Sequence, residues 1–170
     1  MATVIKGNAE STFGAGIDVT GVVVTDAPAF SATFASDYSF SHNVWQKIPF
    51  STEEFDTNSD YDHTTNYRFT PSVEGYYLIN LTARVNYTGT AGTQVYNLIY
   101  KNGSPYTMSE ITSASGTKGQ PCVTALIHMN GSTDYVEGYV RTNNQSPFID
   151  ANVGDGSSLP KFQGYLARAI

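Results

Sequence analysis

Five acidic residues, Glu53, Glu54, Asp56, Asp60 and Asp62, fall within one short stretch of the chain. Several carboxylate and carbonyl oxygens on a flexible loop are what Ca²⁺ coordinates, so Asp56, Asp60 and Asp62 are the candidate metal ligands. Their spacing does not match an EF-hand, and a solvated acidic loop is the plainer reading. A second acidic stretch, Asp150 and Asp155 with Asn152, is similarly weak. The three histidines, His42, His63 and His128, are far apart in sequence. His128 lies in an apolar run and reads as a packed core or interface residue. Cys122, in the same run, reads as a small buried hydrophobe rather than a nucleophile. The sequence holds no G-x-S-x-G elbow, P-loop, H-E-x-x-H or C-x-x-C. No carboxylate pair stands out as a glycosidase would need. These residues therefore predict no catalytic group and no cofactor.

The elements that hold such residues must be strands. The chain has 170 residues, a length that suits one domain. Aromatics make up 13% and charged residues 14%, the latter about half the usual share. Tyr occurs 12 times against six Leu and six Glu, so strand formers are plentiful and helix formers scarce. The composition excludes intrinsic disorder, coiled coil and helix bundle. The net charge is −6, and the nine Lys and Arg are scattered singly. Nucleic acid is therefore not an expected partner. No apolar run approaches the ~18 residues of a membrane helix.

Residues 1–27 are rich in Gly, Thr and Val, and Phe13 is their one aromatic residue. We read 1–27 as an extended arm and 28–170 as the domain. In the domain, period-two alternation recurs between turn signals. Phe30, Ala32 and Phe34 share one face of a first strand. In the clearest case, 77–87, Tyr77, Ile79, Leu81, Ala83, Val85 and Tyr87 face one way; Asn80, Thr82, Arg84 and Asn86 face the other. Thr88 to Gly92 turns the chain into a strand at 94–101. Asn102-Gly103 predicts a hairpin into 105–111, followed by a Ser/Gly loop at 112–120. Residues 121–129 are apolar on both faces, which predicts a strand covered on both sides. Asn130-Gly131 predicts a second hairpin into 134–142, and 161–168 is the last strand. No helix is expected. About eight to ten short antiparallel strands read as a sandwich or jelly roll.

Several residues carry a resemblance. The stretch Phe55-Asp56, Tyr61-Asp62, Tyr67, Phe69, Pro71, Gly75-Tyr76-Tyr77 resembles the signature of C1q-like globular heads, an F-(N/D) pair followed by F-x-x-P-x-x-G-x-Y. Leu98-Ile99-Tyr100-Lys101-Asn102-Gly103 resembles that family's strand ending in K-N-G. Phe162-x-Gly164-Tyr165-Leu166 resembles its closing strand. The resemblance covers 28–170 and implies a C1q/TNF-like jelly roll that associates as a tight homotrimer. It makes Phe55, Phe69, Gly75, Tyr77, Phe162, Gly164 and Leu166 the core and trimer signature. Gly75 is expected to let the chain turn before the long strand. Phe162 and Leu166 are expected to point inward, with Gly164 leaving room for a facing aromatic. Some members of the family bind calcium near the top of the trimer, which is the one cofactor the resemblance suggests.

The arm, MATVIKGNAESTFGAGIDVTG, resembles the N-termini of bacteriophage virion proteins. The N-terminus also lacks the basic-then-apolar pattern of a signal peptide. The resemblance implies synthesis in a host cytoplasm, no secretion by a signal peptide, and a place in the virion. The first expectation is a capsid decoration or cement protein. Its arm would bind other virion proteins by adding strands to their sheet edges through Val4, Ile5, Phe13, Val22, Val23 and Val24. The alternative is a receptor-binding fibre tip that holds host-surface glycan on loops 57–66, 112–120 and 142–158. An enzyme is the least expected outcome.

Overall fold

The computed structural model describes residues 27–88, 91–114, 117–151 and 160–170. Val4, Ile5, Phe13, Val22, Val23 and Val24, the expected anchoring residues, lie outside the described residues, as do 89–90, 115–116 and 152–159. Among the described residues the chain forms 15 strands and no helix. In order these are β1 (Ala29–Thr33), β2 (Tyr38–Ser39), β3 (Gln46–Lys47), β4 (Thr52–Asp56), β5 (Tyr61–Asp62), β6 (Arg68–Phe69), β7 (Glu74–Thr82) and β8 (Val85–Asn86). They continue as β9 (Thr93–Lys101), β10 (Ser104–Ser113), β11 (Lys118–Gly119), β12 (Cys122–Asn130), β13 (Val136–Thr142), β14 (Phe148–Ile149) and β15 (Lys161–Ala169). Eight of them have five residues or more, in the expected range.

The pairing is antiparallel throughout. One sheet has five strands in the order β12-β7-β15-β1-β4. A second has six, with β10-β9-β13-β6-β5 in line and β3 beside β13. Four short strands, β11-β8-β14-β2, form a third. The architecture is an all-β, C1q/TNF-like jelly roll.

Alternation decides which faces meet. Tyr77, Ile79, Leu81, Ala83 and Val85 are all fully buried. The inward face survives even though the strand breaks at 83–84, between β7 and β8. Phe30, Ala32 and Phe34 are buried as expected. The core is aromatic around Phe30, which stacks on Phe69 at 4.2 Å and Tyr61 at 5.1 Å and meets Phe162 edge-on at 5.2 Å. Buried rings of this kind each remove roughly 150–250 Å² from water.

Asn102 and Gly103 have φ of 51° and 74°, the left-handed pair that a two-residue hairpin needs, and they join β9 to β10. Asn130-Gly131 does not make the expected hairpin. β12 pairs with β7 and β13 with β9, so the chain crosses here between sheets. The Asn130 side chain organises the crossing, its Oδ1 accepting from the backbone N–H of Ser132, Thr133 and Asp134. Nor is 121–129 covered on both sides. β12 is the edge of its sheet; Val123, Ile127 and Met129 are buried, but Leu126 is 56% exposed and Cys122 is exposed. Cys122 is thus not the buried hydrophobe its surroundings in sequence suggested.

Gly75 also has a different role from the expected turn. It lies inside β7, opposite Ala169 and Met129, and its φ is not in the left-handed region. A Cβ there would come within 2.4 Å of the Arg168 carbonyl and 2.6 Å of Leu166 Cδ1. Glycine is needed because β15 shifts register between Leu166 and Arg168 and presses its backbone onto this point.

Candidate functional site

The signature residues separate into two groups. Phe69, Tyr77 and Phe162 are fully buried, and the rings of Phe69 and Tyr77 meet at 5.6 Å. Leu166 packs against the core while remaining partly exposed. Gly164 lies opposite Phe30, and a Cβ on it would come within 3.1 Å of that ring and 2.5 Å of Ile79 Cδ1. It makes the room for a facing aromatic that the sequence called for. Phe55 stands apart, 51% exposed on the outer face of the five-stranded sheet.

That outer face is the candidate site. Register places Leu126 of β12, Leu78 of β7, Tyr165 of β15 and Ala29 of β1 in one row across four strands. Leu126 and Tyr165 are more than half exposed, and Tyr76, one step along β7, is 40% exposed. Phe55, Leu78, Tyr165 and Gly164 border a depression of about 270 Å³. A second apolar surface runs along β10, the edge of the six-stranded sheet, where Tyr106, Met108 and Ile111 are exposed. Sequence reasoning missed Tyr76, Leu126 and Tyr165 as surface residues. The available signal was the outward parity of Tyr76 and Leu78 on a strand whose other face is wholly apolar.

In the acidic loop the carboxylates bind the backbone. The Asp62 carboxylate accepts from the backbone N–H of Thr64, Thr65 and Asn66, the Thr64 hydroxyl and the Asn66 amide. These bonds, that from Thr65 foremost, hold Asp62 well below the usual carboxylate range. Asp56 accepts from the backbone N–H of Asn58 and Tyr61, and Asp60 from the Ser72 hydroxyl. Burial raises the Asp60 carboxyl even so. Among the described residues no three His, Cys, Asp or Glu side chains are grouped to hold a metal ion. The carboxylates shape the turns between β4 and β6.

The remaining titratable contacts join strands. Glu54 is bound by Lys161 of β15 and accepts from the Ser31 hydroxyl of β1 at 2.6 Å, and these two partners lower its carboxyl. Ser31 is 2% exposed and has no imidazole among its hydrogen-bond partners, so the arrangement is not that of a serine nucleophile. His63 lies 3.2 Å from Glu53, and His128, partly exposed, lies 3.5 Å from Glu74. The three histidines share no site.

Comparisons with known proteins agree with this architecture. The globular domain of zebrafish complement 1qA superimposes with a TM-score of 0.59 at 14% identity, over 84% of this chain and 99% of that one. Murine APRIL gives 0.60 at 7% identity, over 82% and 98%. Eiger TNF from S. frugiperda gives 0.57 at 10% identity, over 85% and 93%. No family model matches the sequence, and no curated protein sequence matches it. The likeness is one of fold: a C1q/TNF-type jelly-roll head. No described helix is long and apolar enough to cross a membrane.

Proposed function

We propose that this chain is a non-enzymatic, homotrimeric structural head of a bacteriophage virion, acting as a capsid decoration protein held to the shell by residues 1–27. The observation that carries the trimer is the apolar row Leu126–Leu78–Tyr165 beside Phe55, left open on the five-stranded sheet. A contiguous exposed apolar face of this kind marks an interaction surface. The open edge of β10 is its natural counterpart, since an unpaired apolar edge strand needs covering. Face and edge are different surfaces of one chain, so their contact is head-to-tail, which closes as a ring of three when each copy is turned by a third of a circle from the last. Three copies match the association that the C1q-like signature implies. The virion setting rests on the resemblance of residues 1–21 to virion protein N-termini.

Light scattering of the purified chain at micromolar concentration should give the mass of three copies; a stable monomer would refute the trimer. Labelled electron microscopy of particles should place the chain on the capsid shell. Label at a fibre tip would favour a second reading, a receptor-binding head. That reading draws support from the partly exposed Trp45, Tyr96 and Tyr139 on the outer face of the six-stranded sheet.

A further inference from the structure

The outer face of the six-stranded sheet carries a stripe that neither the core nor the trimer row uses. On β13 and the residue before it, Tyr135, Glu137, Tyr139 and Arg141 alternate outward, spanning roughly 20 Å at strand rise. Register sets Arg68 of β6 beside Glu137 and Lys47 of β3 beside Tyr139. From the other side β9 brings Tyr100 opposite Glu137 and Tyr96 opposite Arg141. The rings are in contact: Tyr100 and Tyr139 stack at 3.9 Å, and Trp45 meets Tyr96 edge-on at 5.7 Å.

The two arginines are the unusual members. The Arg141 guanidinium sits 5.7 Å from the Trp45 ring centre and 5.8 Å from that of Tyr96. The Arg68 guanidinium lies 4.4 Å from the centre of the Tyr135 ring. Neither makes a side-chain hydrogen bond or an ion pair with a described residue. The carboxylates facing the same side are engaged elsewhere. Glu137 accepts from Lys47 at 2.5 Å, Glu110 from Gln94 and Thr112, and Asp62 from its own turn. Two guanidinium forks are therefore held in place by rings, with their N–H donors unspent. A fixed, partly desolvated guanidinium is suited to bidentate binding of a carboxylate.

We propose that this stripe binds an acidic polysaccharide, with Arg141 and Arg68 taking carboxylates and Trp45 and Tyr139 packing against the C–H faces of the sugars. The spacing favours such a polymer over nucleic acid. Four residues of β13 separate the two arginine positions, about 13 Å along the strand, whereas duplex DNA carries a charge every ~1.7 Å of its axis. A chain of net charge −6 gains little from a polyanion so dense. The proposal goes beyond the trimer and needs only that this second sheet face stays open.

The test is calorimetric titration of the full chain with hyaluronate, polygalacturonate, alginate and polysialic acid, using dextran as the neutral control and poly(dT) as the phosphate control. At least one acidic polysaccharide should bind. Arg141→Ala and Arg68→Ala should each weaken binding about tenfold or more, the loss expected for one charged hydrogen-bonding group. Arg141→Lys should not restore it, since an ammonium lacks the planar fork. Trp45→Leu should weaken binding with circular dichroism unchanged. The proposal falls if none of the four polymers binds, if the arginine variants bind like the parent, or if dextran or poly(dT) binds as tightly. Light scattering on the same samples keeps the two readings apart: a monomer that binds retains the stripe and removes the trimer, and a trimer that binds none does the reverse.

Discussion

The Asp62 carboxylate shows how an acidic side chain in a loop can be spent on backbone. Its hydrogen bonds lower its pKa in the folded chain. A carboxyl with a lowered folded pKa adds stability above its unfolded value, near 4, and that stability is lost as pH falls through the folded value. Asp62→Asn should therefore reduce the urea midpoint at neutral pH, and the gap to the parent should narrow as pH drops from about 5 to 2. A gap that widens on acidification would reverse the assignment. Gly164 makes a different kind of prediction. A methyl there meets the Leu78 carbonyl at 2.9 Å as well as the movable tip of Ile79. Gly164→Ala should cost about 1–3 kcal/mol, read from urea unfolding at fixed protein concentration.

At the scale of elements, β7 was legible because burial and alternation agree along its whole length. Each of its inward side chains reaches the core, and its neighbours fix its register on both sides. β12 was misread because Leu126 and Ala125 are both apolar, and an edge strand with an exposed apolar residue looks in sequence like a strand buried on both faces. Asn130-Gly131 was misread because a turn pair reports only local φ. Gly131 does have a φ of 68°, but where the chain goes next is set by pairing partners a turn cannot see. The role of the acidic stretch was hard to read for a related reason: carboxylate spacing does not reveal whether backbone N–H groups already occupy the oxygens. The outward row can be tested through β12. Leu126→Lys adds a charge at an exposed position, so the fold should survive with unchanged circular dichroism while light scattering shifts from trimer to monomer. An unchanged mass would remove that row from the interface.

For the whole molecule, the sheets described here are assembled from residues after Pro28. A chain starting at residue 27 should keep the melting temperature of the full chain within a few degrees and its oligomeric state, yet fail to attach to particles. If the shortened chain aggregates or still attaches, the division at residue 27 is wrong. The pairing also joins the first and last strands, with Ala29 opposite Tyr165 and Ala32 opposite Phe162. A contact between strands so distant in the chain makes folding slow relative to proteins of local contacts. Because β1 and β15 run antiparallel, the backbone enters and leaves the head at one pole. Whatever is joined at residue 27 or residue 170 departs from that pole, and the exposed turn at 35–37, just past the end of β1, lies toward the other. A single seam thus gives the fold a back and a front, and a short linker from residue 170 to residue 27 would close it into a ring that could be reopened at the exposed turn 35–37.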